Sequence, residues 1–267
     1  MRRPRVLAIS GSDPSGGAGA QADIKTFAAF GCYGMAAITA LTVQNTRGVR
    51  SVITVEPDVV AAQVDAIFED VAVDAVKIGM LGRVETARAV AASLRRAGAH
   101  NVVVDPVLAA SHGAPLAEAG LAAAILAELA PLAALLTPNL AEAASLTGTA
   151  PAGGEAEMGA QARALVAAGA RAVLVKGGHL DGDPVDLLWT EGAAALFRGR
   201  RIETRNTHGT GCALSSAIAC CVAQGMSSAG AVERAKRWLE GALLAGAGAR
   251  IGGGSGPPDH LWNILPA

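Results

Sequence analysis

Short apolar runs alternate with longer alanine-rich stretches of helical period along most of the chain, the pattern of parallel strands joined by crossover helices. Strands are expected at RVLAIS from Arg5, AAITAL from Ala36, DAVKIG from Asp74, NVVVDP from Asn101, ALLTPN from Ala134 and RAVLVKG from Arg171. Several are apolar at successive positions, as strands covered on both faces must be. Helices are expected over Ala20 to Phe30, Pro57 to Glu69, Val84 to Ala97 and Glu155 to Ala168, with Gly98 and Gly169 placed to end two of them in a left-handed residue. After Gly177 the rhythm changes. DLLWT and the run near AALFRGRRI read as an antiparallel pair closing one edge, followed by two helices from Gly211 onward. SVITV from Ser51, after the turn-like NTRGVR, reads as a short strand outside the main sheet, forming a flap. The fold class is therefore α/β: a central, mostly parallel sheet with helices on both faces and a small flap.

Length and composition narrow the picture. With 267 residues, no internal repeat and no long linker, the chain reads as one domain over residues 1–267. Hydrophobic residues make up 51% and aromatics 3%, which excludes a disordered chain and leaves few stacking platforms for single-stranded nucleic acid. Lys plus Arg number 22 against 23 Asp plus Glu, so no global positive field draws in a polyanion. Small ligands, not nucleic acids, are the expected partners. The uncharged run from Gly211 to Val232 is long enough to cross a bilayer, which takes about 20 residues, but its Ser, Gln and Gly content predicts a buried helix and a turn. The apolar stretch near the first residues stops at Ser10, so no secretion signal is expected. Cys32, Cys212, Cys220 and Cys221 show no CxxC spacing, as fits thiols in a reducing cytoplasm.

In an open parallel sheet, ligands bind beyond the carboxyl ends of the strands. The first strand runs into GSDPSGGAGAQAD, the fourth ends at Asp105, the fifth at Thr137, Pro138 and Asn139 with Glu142 just beyond, and the sixth at Lys176 and two glycines. Gly17, Gly19 and Ala22 have GxGxxA spacing, but they lie too far past the strand, and no acid stands at the next strand end, so a dinucleotide fingerprint fails. No Lys follows the glycines either, which excludes the nucleotide P-loop. The segment instead reads as a loop closing against a small flat ligand.

NTHGTGC, Asn206 to Cys212, is the most informative stretch. Gly209, Thr210 and Gly211 expose backbone N–H groups at the positive end of a helix, where phosphate binds and migrating charge is stabilised. The same dipole should favour a Cys212 thiolate, although that residue reads equally well as core packing. Cys220 and Cys221, deeper in the same apolar run, read as core. Asn139 and Glu142 could present an amide and a carboxylate to hydrated Mg2+, or form a capping box, or both. Lys176 is placed to project into the cleft toward phosphate, whereas Lys77 reads as structural. His179 and His208 are the histidines near the expected site, His100 and His112 read as loop surface, and His260 lies in a Pro- and Gly-rich tail.

The motifs GSDPSGGAGAQADIKTF, TALTVQNTRGV, VKIGML, TPNLAEA, VLVKGGH and NTHGTGC, in this order, resemble the bacterial hydroxymethylpyrimidine and phosphomethylpyrimidine kinases of thiamine synthesis, which have the ribokinase-like fold. The resemblance runs from about Arg5 to the tail near His260. It implies phosphoryl transfer from ATP, with Mg2+, first to a hydroxymethyl group and then to the resulting monophosphate. It implies that Gln44 reads the pyrimidine edge and that Gly11, Asp23, Val43, Met80 and Val107 surround the ring. Cys212 is similar to the family's proposed catalytic residue, at the position where most sugar kinases of this fold carry an Asp. Glu142 and Asp105 would hold Mg2+, Glu142 through water, with Asn139 and Lys176 at the ATP phosphates. The resemblance also implies a homodimer.

Overall fold

The structure, a computed structural model, describes residues 2–109, 116–190 and 192–264. In chain order the strands are β1 (Arg5–Ser12), β2 (Tyr33–Asn45), β3 (Gly48–Thr54), β4 (Ala75–Ile78), β5 (Val102–Val104), β6 (Ala133–Leu136), β7 (Ala172–Gly177), β8 (Val185–Thr190) and β9 (Ala193–Arg198). The helices are α1 (Gly19–Ala29), α2 (Pro57–Asp70), α3 (Val84–Arg96), the short α4 (Leu121–Ala124), α5 (Leu140–Thr147), α6 (Glu155–Ala167), α7 (Thr210–Ala223) and α8 (Ser228–Gly246).

All nine strands join one sheet in the order β3-β2-β1-β4-β5-β6-β7-β8-β9. The stretch from β2 to β7 is parallel, and β3, β8 and β9 pair antiparallel at the two edges. Strands β4 and β5 are buried at every position, as their unbroken apolar runs require. Alternate residues of β1 face opposite layers. Leu7 and Ile9 pack in the core formed with α2, α3, α5 and α6, whereas Val6 and Ala8 pack in the core formed with α1, α7 and α8. Gly98 and Gly169 follow α3 and α6 with φ of +59° and +118°, conformations open to glycine without a Cβ penalty.

The expected strands and the antiparallel closing pair are present. The flap is corrected: SVITV lies in β3, which is the edge of the main sheet and not a strand apart from it. The reason is the length of β2, which runs to Asn45, well past AAITAL, so the chain turns back at Thr46 and Arg47 and pairs from Asn45↔Gly48 to Ala40↔Thr54. The irregular helical stretch from α4 through Leu132 was not anticipated. His112 falls outside the described residues. Among the described residues no helix is long and apolar enough to cross a membrane, and Gly211 to Val232 forms α7, a turn and the start of α8.

Candidate active site

The N-terminus of α7 is built where two distant segments meet. His208 Nε2 lies 2.8 Å from Asp13 Oδ2 in the Gly-rich loop. Asp13 in turn accepts from the Ser15 amide and hydroxyl and from the Ala18 amide, all within 2.9 Å, so one carboxylate shapes the loop. Burial would raise its pKa, but the bonds from His208 and Ser15 win and hold it below the usual range. Gly209, the residue before α7, has φ +79°, and a Cβ there would collide with the Gly17 carbonyl. The Gly-rich loop therefore closes against the start of α7, where the sequence suggested a flat ligand.

Beside this junction lies a cavity of about 460 Å³. Gln44 and Val107 stand on its wall with Gly209, Thr210, Gly211 and Cys212. Asp105, Asn139, Glu142 and Lys176 line it as well, and exposed His179 stands at its side. Helix geometry leaves the first N–H groups of α7 without intrahelical acceptors, at the positive end of the dipole. The absence of a side chain at Gly211 matters: a Cβ there would lie 3.3 Å from Lys176 Nζ. Lys176 Nζ is 2.7 Å from Asp105 Oδ1, and the Ser215 hydroxyl donates to Asp105 Oδ2 at 3.2 Å. Burial works against the Lys176 charge, yet Asp105 and Glu142 beside it raise its pKa.

Asn139 and Glu142 form the complete capping box of α5, the Glu142 amide donating to Asn139 Oδ1 at 2.9 Å and the Asn139 amide to Glu142 Oε2 at 2.8 Å. Both still face the cavity, so the capping and phosphate-side readings are compatible. Burial pushes the Glu142 carboxyl up to about 7; Lys176 pulls it down and the Asp105 charge pushes it further up.

The four other expected ring contacts, Gly11, Met80, Val43 and Asp23, are placed off this wall. Met80 is buried against Gly11, where a Cβ would sit 3.0 Å from its sulfur. Val43 is 46% exposed on β2. Asp23 is fully buried, with Lys77 Nζ at 2.9 and 3.0 Å and the Ser216 hydroxyl at 2.7 Å from its oxygens, so it braces α1, β4 and α7 and does not reach the cavity. Burial pushes its carboxyl up, against the pull of Lys77.

The expected thiolate is also corrected. Although Cys212 sits at the start of α7, burial pushes its thiol up to about 11, outweighing the pull of the Lys77 ammonium. Cys220 and Cys221 are fully buried, as expected. Asp13, Ser215 and Ser216 were not singled out from sequence. The two serines stand three and four residues after Cys212, a spacing that shares one helix face and could have flagged them.

The match to known proteins extends well beyond the motifs. Residues 13–259 match the family model described as phosphomethylpyrimidine kinase. The chain belongs to that family. A hydroxymethylpyrimidine/phosphomethylpyrimidine kinase of Rhizobium meliloti is 52% identical over 257 residues, covering 96% of each chain. The phosphomethylpyrimidine kinase of Clostridium difficile superposes with a TM-score of 0.79 at 37% identity, over 89% of this chain and 98% of that one. The Staphylococcus aureus pyridoxal kinase solved with AMP-PCP and pyridoxal gives a TM-score of 0.90 at 31% identity, over 99% of this chain and 96% of that one. This phosphomethylpyrimidine kinase family member is thus an enzyme of ribokinase-like fold.

Proposed function

We propose that the chain, acting as one kinase domain, phosphorylates 4-amino-5-hydroxymethyl-2-methylpyrimidine to its monophosphate and then to the diphosphate, using ATP, in thiamine biosynthesis. One observation carries this reading: Gln44, the opening of α7 and the Lys176–Asp105–Glu142 group border a single cavity. The ATP-analogue complex of the pyridoxal kinase neighbour supports ATP as donor.

Phosphoryl transfer calls mainly for positioning and charge neutralisation. Gln44 offers an amide donor and acceptor to the aminopyrimidine edge, with Val107 as an apolar wall. The N–H groups of Gly209, Thr210 and Gly211 receive charge developing on the transferred group, and Lys176, whose ammonium lies beside Gly211, balances it. Cys212 is a thiol in nearly every molecule at neutral pH; in the minority that carry the thiolate, its sulfur accepts the hydroxyl proton late in the first transfer. In the second transfer the acceptor is already anionic and needs no base.

The donor set suits Mg2+. Two hard carboxylates, Asp105 and Glu142, lie close enough for the Asp105 charge to raise the Glu142 pKa, and a cation relieves that repulsion. No cluster of three or more His, Cys, Asp or Glu among the described residues could cage a metal, so Asp105 and Glu142 would hold the ion largely through water. When bound, it neutralises the phosphate oxygens of ATP.

The four free thiols fit a cytoplasmic enzyme. A homodimer fits the exposed Leu41, Val43 and Ile53 on the β2–β3 edge, with Leu41 directly opposite Ile53; sedimentation at two concentrations tests it. The functional test is a mass-resolved product assay with the hydroxymethylpyrimidine and Mg-ATP. Successive addition of two phosphates is expected. Turnover of pyridoxal with none of the pyrimidine would instead favour the second reading, to which the pyridoxal kinase neighbour points.

A further inference from the structure

The hydrogen-bonding capacity around Gln44 does not balance with its amide as placed. The amide nitrogen lies 3.2 Å from His208 Nε2, and that same ring nitrogen lies 2.8 Å from Asp13 Oδ2. Asp13 is held below the usual carboxylate range, so it is ionised at neutral pH and only accepts. His208 Nε2 must then carry the hydrogen, and it meets the Gln44 amide donor to donor. On the other side, the single Thr42 hydroxyl hydrogen is claimed both by the Ser12 carbonyl at 2.9 Å and by Gln44 Oε1 at 3.1 Å.

A half-turn of the amide removes both conflicts. The Gln44 oxygen then accepts from His208 Nε2–H, which is shared with Asp13. The amide nitrogen donates to Thr42 Oγ1, which is left free to donate to Ser12. One lone pair on the amide oxygen and one N–H remain for a ligand, in a fixed order: acceptor on the His208 side, donor on the Thr42 side.

We propose that His208, tethered by Asp13, is a positioning residue that sets the donor–acceptor order Gln44 shows to the heterocycle and so selects an amino-substituted pyrimidine edge. The inference rests on the kinase reading given above. His208 leads directly into Gly209 at the start of α7, so the accepting oxygen lies on the side where the phosphoryl acceptor must sit. In the aminopyrimidine, the 4-amino donor is ortho to the hydroxymethyl group and the N3 acceptor lies one atom beyond. That order matches the amide atom for atom, and every donor and acceptor on Gln44 is used. A 4-oxo analogue presents the reverse, a carbonyl acceptor beside the hydroxymethyl group and an N3–H donor beyond it. Two like groups then face each other at the amide.

The test compares kcat/KM for the 4-amino compound and its 4-oxo analogue in the full-length enzyme. The wild type is expected to prefer the amino compound by about 100-fold or more, since a site built to hydrogen-bond a group strongly rejects its mismatch. His208→Leu frees the amide to rotate. It should narrow the preference at least about tenfold, mainly through KM for the pyrimidine, with KM for ATP unchanged. Thr42→Val, which removes only the second clamp, should narrow it less, and it decides the matter alone if His208→Leu does not fold. A parallel fall for both compounds, with the preference intact in these variants, would overturn the positioning role and leave the kinase reading standing. A wild type that phosphorylates neither compound would instead bring down the kinase reading and the inference with it.

Discussion

On β4, Lys77 reaches Asp23 of α1 at 2.9 Å; on β7, Lys176 reaches Asp105 at 2.7 Å. The chemistry of the two contacts is the same, but their settings differ. Both side chains of the first pair are fully buried, and Ser216 supplies a further bond to Asp23. The Lys176 side chain is 11% exposed and opens on the cavity, where Glu142 adds a second negative charge. A lysine fully buried against a buried carboxylate holds elements together. A lysine with donors facing a cavity can trade a carboxylate for a phosphate.

The sharpest way to break the comparison is Lys77→Met. It strands the Asp23 carboxylate, whose remaining side-chain hydrogen bond among the described residues comes from Ser216, and should cost about 3–5 kcal/mol in urea unfolding, with the double variant Lys77→Met/Asp23→Leu recovering most of it. Equal losses in the single and double variants would show that the charge is not what matters. Lys176→Met should do the converse. It should lower kcat about 100- to 1000-fold through lost charge neutralisation, while stability falls less than in Lys77→Met, because the space Lys176 vacates opens on the cavity and admits water to Asp105, which is only 2% exposed beside the lysine. If Lys176→Met lost as much stability as Lys77→Met, the distinction between brace and working group would fall.

Glu142 sharpens the same contrast through pH. Its folded pKa of about 7 lies above the ordinary glutamate value of 4.5, so the fold favours the neutral acid. That contribution to stability is fully present below about 4.5 and is lost as pH rises through about 7. Glu142→Gln keeps a neutral group and an acceptor for the Asn139 amide. Measured without Mg2+, the variant should match the wild type at pH 4.5 and exceed it by up to about 3 kcal/mol at pH 8. Adding Mg2+ should close part of that gap by stabilising the wild type alone. A constant offset across the range would mean that Glu142 is not the group being titrated.

The sequence could separate the two lysines but not their aspartates. Lys77 lies inside an apolar run and Lys176 ends one before two glycines, a local difference that parallel-sheet logic converts into buried against cleft-facing. Asp23 sits in α1 after a Gly-rich loop, and only the packing of α1 against β1, β2 and α7 turns it inward. Strands apolar at every position, such as β4 and β5, were legible for the same local reason. The β2–β3 hairpin was not, because its exposed edge mixes Leu41, Val43 and Ile53 with polar residues and loses the core pattern. The stretch from α4 through Leu132 has alanines and leucines but no side-chain cap to announce it. Asp13 and His208 meet across 195 residues, a separation no local motif spans.

Cys212 shows how tertiary burial can reverse a local expectation, and it supplies the smallest of the effects. The helix dipole argues for a thiolate, but removing the sulfur from water costs more than the dipole and the Lys77 ammonium return, and the thiol stands at about 11. At neutral pH only about one molecule in ten thousand then carries the thiolate, so a base of this kind contributes little to a transfer whose transition state is already loose. Cys212→Ala should slow the first phosphorylation about tenfold, below the usual span for a general base, and the second by less than about threefold. The wild-type first step should also accelerate as pH rises toward about 11 and thiolate accumulates, a slope the alanine variant loses. Equal losses in both steps, read from separate assays with the alcohol and the monophosphate as acceptors, would make Cys212 a packing residue at the mouth of α7 and leave the backbone N–H groups and Lys176 to carry the chemistry.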